Sequence, residues 1–391
     1  MAYDFNKIIN RKNTNSSKYD FLEENGFSAD TIPLWVADMD FASPPEITSR
    51  LGEVAAHGVY GYSDHKPGYY QAVRDWFLAR HNINYRAEWL VKTPGVVFAV
   101  AMAVRALTRE GDSVLIQQPV YYPFERVIRR NNRHTVNCPL VYENGRYDID
   151  FDAFEKTLRE QEIKLFILCS PHNPVGRVWT LAELTRMGEL CLKYHVPVVA
   201  DEIHCDFVFE GCKHIPFAGI SEAFAQSCVV CTAPSKTFNL AGLQTANIFI
   251  PSEELRNRYK TEISAAGSGG IGIFGLAACE AAYRYGGDWL DQLLSYLQEN
   301  LLFAKQFLGE HLPLARVIEP EGTYLLWVDL NSLDADSERL NQRIKSVARL
   351  WLDDGAMFGA QGKGFQRINI ACPRAVLAEA LERFCQALSQ S

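Results

Sequence analysis

The length and composition of the chain are typical of a globular protein. Its 391 residues suffice for roughly two to three domains with buried cores. Hydrophobic residues make up 48% of the sequence, charged residues 22% and aromatic residues 12%, which excludes a largely disordered, collagenous or coiled-coil protein. With 39 Lys and Arg against 47 Asp and Glu, the net charge is −8 and no long basic block occurs, so nucleic acid is not expected as the main partner.

The sequence predicts a cytoplasmic protein that does not associate with membranes. Its N-terminal residues contain no apolar stretch of the kind found in secretory signals. The longest apolar run, 96–104, has nine residues and is too short to cross a bilayer. The ten cysteines are too sparse for a disulfide scaffold, and most lie in apolar segments, as reduced core cysteines do.

Short β-branched segments alternate along the chain with longer segments of helical periodicity. The predicted strands are, in chain order, 32–37, 114–118, 165–169, 196–200, 228–232, 246–250, 324–330 and 367–371. The predicted helices are 45–57, 70–81, 96–108, 181–194, 273–283, 288–308, 338–353 and 375–388. This alternation predicts an α/β fold in which helices cover a parallel sheet.

We expect two domains, with a boundary near the Gly-Gly pair at 286–287. The large domain would span residues 46–286. The smaller α+β domain would combine residues 1–45 with residues 287–391. Ligands of open parallel sheets bind at the carboxyl ends of the strands, so polar residues just after the predicted strands are candidates for chemistry.

Two of these strand ends carry an amide and a carboxylate. Asn173 follows the strand 165–169, although an Asn before a Pro is also a common turn signal. Asp201 directly follows the strand 196–200, and a carboxylate at the end of a fully apolar strand needs a partner. The alternative interpretation is that Asp201 caps a helix.

A lysine and a glycine mark two further strand ends. Lys236 follows the strand 228–232, where burial would lower its pKa and make the neutral amine available for a Schiff base. The alternative is a surface lysine whose stem packs on the protein. Gly95 precedes the helix 96–108, whose first N–H groups could bind an anion, although a Pro-Gly pair is also an ordinary turn.

Pyridoxal phosphate (PLP) needs this set of groups, and the set is more specific than any of its members. A lysine forms a Schiff base with the cofactor, a carboxylate pairs with the pyridine nitrogen, a donor meets the ring O3′ and a helix N-terminus holds the phosphate. The sequence therefore predicts a PLP enzyme whose site lies at the carboxyl ends of the strands.

Several longer motifs carry a resemblance to a known family. They are 33–41 (PLWVADMDF), 61–63 (GYS), 169–174 (CSPHNP), 201–204 (DEIH), 235–239 (SKTFN) and 364–369 (GFQRIN). Over nearly its whole length the chain resembles the PLP-dependent enzymes of fold type I, in the aminotransferase class I/II superfamily. Within that superfamily it is similar to the MalY/PatB-type cystathionine β-lyase (C–S lyase) branch. The resemblance implies a mostly parallel, seven-stranded sheet in the large domain.

The resemblance also implies a role for each site residue. Lys236 would form the Schiff base and take the proton from the substrate Cα, and Arg367 would bind the substrate α-carboxylate. The residues implied to bind the cofactor are Asp201 at the pyridine nitrogen, Asn173 at O3′, His204 where many aminotransferases have a Tyr serving O3′, Tyr121 stacked on the ring, and Gly95, Val96, Val97, Ser235 and Tyr62 around the phosphate. Because Tyr62 would reach the phosphate from the partner subunit, a homodimer is expected.

Two positions depart from the aminotransferase pattern. Gln244 stands eight residues after Lys236, where aminotransferases usually carry an Arg, and Ala233 stands where they often have a Ser. The resemblance and Gln244 together favour a β-lyase that converts cystathionine or a related cysteine S-conjugate to a thiol, pyruvate and ammonia. The alternative is a PLP-dependent aminotransferase acting on an amino acid and a 2-oxo acid. The particular sulfur substrate stays open.

Other motifs suggest different functions. Residues 267–272 match the G-x-G-x-x-G motif of nicotinamide dehydrogenases, but that motif must follow a strand and the segment 255–265 looks helical. Cys228 and Cys231 form a C-x-x-C pair without a second pair, so core packing is expected and no metal site is predicted. Glu202 is interpreted as a cap or a helix charge.

Overall fold

The computed structural model describes residues 2–334 and 336–389. Its α-helices are α1 (Pro45–His57), α2 (Pro67–His81), α3 (Val96–Leu107), α4 (Pro123–Arg130), α5 (Phe151–Glu160), α6 (Leu181–Lys193), α7 (Glu222–Gln226), α8 (Pro234–Thr237), α9 (Glu253–Ala265), α10 (Ile273–Tyr285), α11 (Gly287–His311), α12 (Ser337–Ser346) and α13 (Arg374–Leu388). Its strands are β1 (Ile32–Pro33), β2 (Leu90–Thr93), β3 (Ser113–Ile116), β4 (His134–Asn137), β5 (Val141–Glu143), β6 (Arg146–Asp148), β7 (Ile163–Cys169), β8 (Val198–Asp201), β9 (Cys228–Thr232), β10 (Ala246–Phe249), β11 (Arg316–Val317), β12 (Leu325–Asp329), β13 (Leu350–Trp351), β14 (Asp353–Asp354) and β15 (Phe365–Asn369).

The largest sheet has seven strands in the order β2-β10-β9-β8-β7-β3-β4. Five adjacent strands, β9, β8, β7, β3 and β4, run parallel to one another, whereas β10 is antiparallel to both of its neighbours, β2 and β9. This confirms the expected α/β fold with a mostly parallel, seven-stranded sheet. The carboxyl ends of β7, β8 and β9 lie side by side, because Asp201 is in register with Cys169 on one side and Cys231 on the other.

Helices cover both faces of this sheet. In β7, Leu165 and Ile167 pack into a hydrophobic cluster that contains α3, whereas Phe166 and Leu168 pack into the larger cluster on the opposite face. This division follows from the alternation of side chains along a strand. Because both faces are buried in apolar surroundings, polar side chains of the central strands can reach an open space only at the strand ends.

A second, four-stranded antiparallel sheet lies in the C-terminal part of the chain, in the order β11-β12-β15-β14. The N-terminal strand β1 pairs in parallel with β13, so that Ile32 is opposite Leu350. The predicted division into a large domain, 46–286, and a small domain, 1–45 with 287–391, stays a prediction.

Helix boundaries follow local signals in the sequence. α1 begins at Pro45, a residue suited to the first turn, and ends before Gly58, whose φ of 73° is left-handed. α6 begins with a capping box in which Thr180 and Glu183 satisfy each other's backbone N–H groups. These signals explain why the predictions for 45–57 and 181–194 agree with the structure to within one residue.

The sequence predictions were wrong near the C-terminus. The helix predicted over 338–353 ends at Ser346 in α12, and the strands β13 and β14 follow it. Arg349 has a φ of 53°, which turns the chain, and pairing with β1 and β15 then satisfies the backbone. Helical periodicity cannot reveal hydrogen bonds to distant strands. In the part of the chain that the structure describes, no helix is both long and apolar enough to span a membrane.

Candidate active site

A cavity of about 160 Å³ opens where β7, β8 and β9 end. Its lining includes Gln244 and most of the predicted site residues, namely Gly95, Val96, Val97, Tyr121, Asn173, Asp201, His204, Ser235 and Lys236. These residues come from five separate segments of the sequence. The parallel sheet brings them together because its strand ends meet at one edge.

Lys236 lies in the short helix α8, just past the end of β9. Its Nζ donates a hydrogen bond of 2.6 Å to the backbone oxygen of Ala37. Burial, and after it the positive charge of Arg367, lower the pKa of Lys236 to about 8, although the carboxylates of Asp38 and Asp201 oppose the shift. At neutral pH a much larger fraction of this amine is therefore neutral than for an exposed lysine.

Asp201 is the last residue of β8 and is 3% exposed. Its Oδ1 accepts the backbone N–H of Ile203 at 3.1 Å. Burial raises the pKa of Asp201 to about 7, against the lowering effects of this hydrogen bond and of Lys236. A buried carboxylate of this kind is stabilised when a bound ligand places a positively charged group beside it.

Three further predicted residues face the same cavity. His204 is buried, its Nδ1 has no hydrogen-bond partner among the described residues, and burial holds the pKa of the ring well below its ordinary value. Asn173 Oδ1 accepts a hydrogen bond from Arg367 Nη1 at 3.0 Å. Tyr121 meets Phe124 edge-on, with ring centroids 5.7 Å apart.

The N-terminus of α3 forms one wall of the cavity. Gly95 caps this helix with a φ of 146°, a conformation that other residues rarely adopt. Val96 and Val97 are the first residues of the helix, where backbone N–H groups have no partner within the helix. Ser235 lies on the wall beside Lys236. The arrangement suits an anionic group.

Arg367 does not line the cavity, but it contacts a residue that does. It lies on β15, is 3% exposed, and donates through Nη2 to the backbone oxygen of Trp35 at 2.7 Å. It also forms a buried ion pair with Asp353, which lies opposite it on β14. Burial raises the pKa of Asp353, and the charge of Arg367 opposes that rise.

Sequence reasoning missed Asp353 as a neighbour of the site. The prediction of a helix over 338–353 concealed the strand pairing that places Asp353 beside Arg367. Sequence reasoning also missed the contact between Ala37 and Lys236, although Ala37 lies in the motif 33–41. The backbone oxygen of Ala37 accepts hydrogen bonds from Lys236 and from Tyr324. No signal in the sequence reveals a backbone contact of this kind.

Tyr62 lies outside the cavity. It is fully exposed on the segment between α1 and α2, and its neighbours Val59 and Tyr60 are also exposed. Its predicted contact with the phosphate of a partner subunit stays a prediction.

The structure also places the other motifs. Residues 267–272 lie between α9 and α10, so the glycine motif follows a helix and lacks the strand that a dinucleotide site requires. Cys228 and Cys231 lie in β9 and are completely buried. Glu202 is also completely buried, and its Oε1 accepts the N–H of Phe217 at 2.7 Å. Phe217 is the first residue of a short 3-10 helix, Phe217–Gly219, so this contact agrees with the interpretation of Glu202 as a cap.

The residues of the cavity fit PLP. A buried Asp without an ion-pair partner among the described residues, a buried His with a free ring nitrogen and a Lys with a lowered pKa all face one space. Free amides at the start of α3 suit the phosphate. These are the donor, acceptor and nucleophile that the cofactor requires.

Comparisons with known proteins identify the class of enzyme. The sequence profile of the family described as aminotransferase class I and II matches residues 29–384. The chain belongs to this family.

Individual relatives match the chain over nearly its full length. It is 42% identical over 386 residues to cystathionine beta-lyase PatB of Bacillus subtilis, covering 99% of this chain and 100% of PatB. It is 31% identical to protein MalY of Escherichia coli, covering 99% of both chains. The PLP-bound C-S lyase from Staphylococcus hominis superposes with a TM-score of 0.93 at 34% identity, covering 99% of this chain and 98% of that one.

Proposed function

We propose that the protein is a PLP-dependent carbon–sulfur β-lyase that cleaves cystathionine or a related cysteine S-conjugate. The products are a thiol, pyruvate and ammonia. One observation carries the proposal: the chain matches a cystathionine β-lyase along 99% of its length, and its cavity contains a lysine with a lowered pKa beside a buried carboxylate and a buried amide, which suit PLP.

In this proposal, the cofactor is held by residues of the cavity. Asp201 would pair with the protonated pyridine nitrogen, and that nitrogen would supply the cation that this buried carboxylate lacks. The guanidinium of Arg367 can only donate, so its contact with Asn173 identifies the amide oxygen and leaves the Nδ2 group of Asn173 to donate to O3′. His204 would stand where many aminotransferases have a Tyr serving O3′, and Tyr121 would stack on the cofactor ring.

The phosphate is proposed to lie at the start of α3, with Gly95, Val96, Val97 and Ser235 around it. Gln244 stands in the cavity lining where aminotransferases usually carry an Arg. Without that charge, binding of the phosphate depends more on hydrogen bonds from the backbone amides of α3.

When bound, PLP supplies an electron sink for the electron pair that remains on the substrate Cα after deprotonation. Lys236 removes the Cα proton, and its lowered pKa makes the neutral amine available near physiological pH. The sulfur then leaves Cβ with the electrons of the carbon–sulfur bond, and water releases ammonia and pyruvate from the remaining fragment.

Arg367 is proposed to bind the substrate α-carboxylate. Its plane is fixed by Asn173, Asp353 and the backbone oxygen of Trp35. Its Nε is buried without a partner among the described residues. A fixed guanidinium suits a planar carboxylate because it can donate two parallel hydrogen bonds.

We also propose that the enzyme is a homodimer in which Tyr62 contacts the phosphate of the partner subunit. Support comes from the exposed apolar surface of Val59, Tyr60 and Tyr62, which a monomer would leave in water. Sedimentation equilibrium is expected to give twice the mass of the chain, and a fully active monomer would contradict the proposal. The two-domain division and a cytoplasmic location stay predictions from the sequence.

The function can be tested by adding L-cystathionine to the purified protein with PLP and following pyruvate and thiol. Pyruvate released without any added 2-oxo acid is the expected result, and Lys236→Ala should release none. Turnover only after addition of 2-oxoglutarate would overturn the lyase and support an aminotransferase. Absence of a visible cofactor band would overturn the cofactor as well.

A further inference from the structure

A buried cluster of polar side chains adjoins the cavity and has no part in the proposed reaction. Its centre is Asp206, whose side chain is 2% exposed. Its Oδ1 accepts hydrogen bonds from His81 Nε2 at 2.7 Å and from Trp76 Nε1 at 3.1 Å. Its Oδ2 accepts the hydroxyl of Thr237 at 2.7 Å. Both oxygens of this carboxylate are therefore engaged.

The cluster connects α2 to the residues that follow Lys236. Thr237 is the next residue in α8 and is 1% exposed. The ring of Trp76, on α2, also meets Phe238 edge-on with centroids 5.2 Å apart. Asp206 itself lies in the segment that follows β8, five residues after Asp201, the last residue of that strand.

A second buried pair extends the cluster towards Asp201. Glu202, the next residue after Asp201, has its Oε2 3.3 Å from His214 Nε2. The ring of His214 meets the ring of His81 edge-on, with centroids 5.6 Å apart. Glu202 and Thr237, the residues that directly follow Asp201 and Lys236, thus belong to the same buried cluster.

We propose that Asp206 is a positioning residue that fixes Thr237 and, through it, the backbone from which Lys236 reaches the substrate. This inference rests on the proposed function, because it takes the role of Lys236 from there. A hydrogen bond to an ionised acceptor is stronger than a neutral one, so the carboxylate restricts the side chain of Thr237 more than an amide would.

The charge state of Asp206 agrees with this role. Burial acts to raise the pKa of Asp206, but hydrogen bonds from His81, Thr237 and Trp76 outweigh it and hold that pKa below its ordinary value. The carboxylate therefore stays ionised at neutral pH.

The same residues could be taken for a metal site. Ligand atoms of His81, Cys205 and Asp206 lie within 4.8 Å of one another. However, both oxygens of Asp206 already accept hydrogen bonds, and burial raises the pKa of Cys205 well above its ordinary value, which opposes the thiolate that a metal needs. The cluster is therefore a network of hydrogen bonds and not a metal site.

Threonine variants of the holoenzyme test the inference. Thr237→Val removes the hydroxyl at nearly constant volume, and Thr237→Ser keeps it. Thr232→Val is the matched control, because Thr232 is also 1% exposed and its hydroxyl donates at 2.8 Å to a backbone oxygen outside the cluster. For each variant, kcat and KM for pyruvate release, the induced circular dichroism of the visible cofactor band and the melting temperature are measured.

We expect Thr237→Val to lower kcat roughly tenfold with KM within about twofold, because a small displacement of a reacting group is costly. The dichroism should weaken, and Thr237→Ser should restore both values. Asp206→Asn should lower kcat by a similar factor. The double variant, Asp206→Asn with Thr237→Val, should have a kcat no lower than that of the less active single variant. Thr232→Val should lower the melting temperature and leave kcat and dichroism unchanged.

The inference is overturned if Thr237→Val keeps the wild-type kcat and dichroism, or if Thr232→Val loses as much of either. If Asp206→Asn does not fold, the two Thr237 variants still test the inference. Failure of the proposed function is distinguishable, since wild-type protein would then release no pyruvate, while the dichroism of the cofactor band would still report on the position of Lys236.

Discussion

We predict that Asp201 lowers the stability of the cofactor-free protein and that replacing it with Asn removes that effect. The carboxyl is 3% exposed, and burial raises its pKa from 3.8 to about 7. Between these values the folded protein binds more protons than the unfolded chain, so this group makes folding less favourable as the pH rises. The total effect reaches about 4 kcal/mol above pH 7. Asn cannot ionise and retains an oxygen for the N–H of Ile203.

Urea unfolding of the cofactor-free protein measures this difference. Asp201→Asn should be more stable than the wild type by about 2 kcal/mol near pH 5 and by about 4 kcal/mol near pH 8. Asp152→Asn is the control, because the side chain of Asp152 is 98% exposed and the change should stay within about 0.5 kcal/mol at each pH. With saturating PLP the order should reverse, since only the carboxylate pairs with the pyridine nitrogen. A stability difference that does not grow with pH would refute the reasoning.

Three further predictions concern the same site. Lys236→Ala should lose the visible cofactor band and at least about 10³-fold of kcat, and a variant that keeps both would contradict the role of the lysine. Arg367→Ala should raise KM for the amino acid about tenfold or more. Arg367→Lys should reverse only part of that increase, because a lysine cannot make the bidentate contact with a carboxylate. Equal KM values for the two variants would refute this prediction. Asp353→Ala should destabilise the protein by about 3–5 kcal/mol in urea unfolding, because it leaves Arg367 buried and unpaired, whereas Glu53→Ala removes the exposed pair with Arg50 and should cost at most about 1 kcal/mol. Equal losses would show that burial of the ion pair has no effect.

Local chemistry allowed much of the fold to be predicted. The apolar strand 228–232 agrees with β9, and the helix 45–57 agrees with α1, because proline, glycine and periodic apolar residues act over a few positions. Asn173, Asp201 and Lys236 were also found from local patterns, since polar residues at the ends of fully apolar strands are unusual. The family resemblance then supplied Tyr121 and His204, which also line the cavity.

The remaining features depend on contacts between distant segments. The pairing of β14 with β15 places Asp353 against Arg367, and the crossing of 33–41 over α8 places the oxygen of Ala37 at Lys236. The lowered pKa of Lys236 and the raised pKa of Asp201 come from burial, which depends on the whole fold. The sequence by itself determined which chemical groups are present and at which strand ends they stand. Only the tertiary structure decided which charges face one another without water, because hydrogen bonds and burial join residues far apart in the chain.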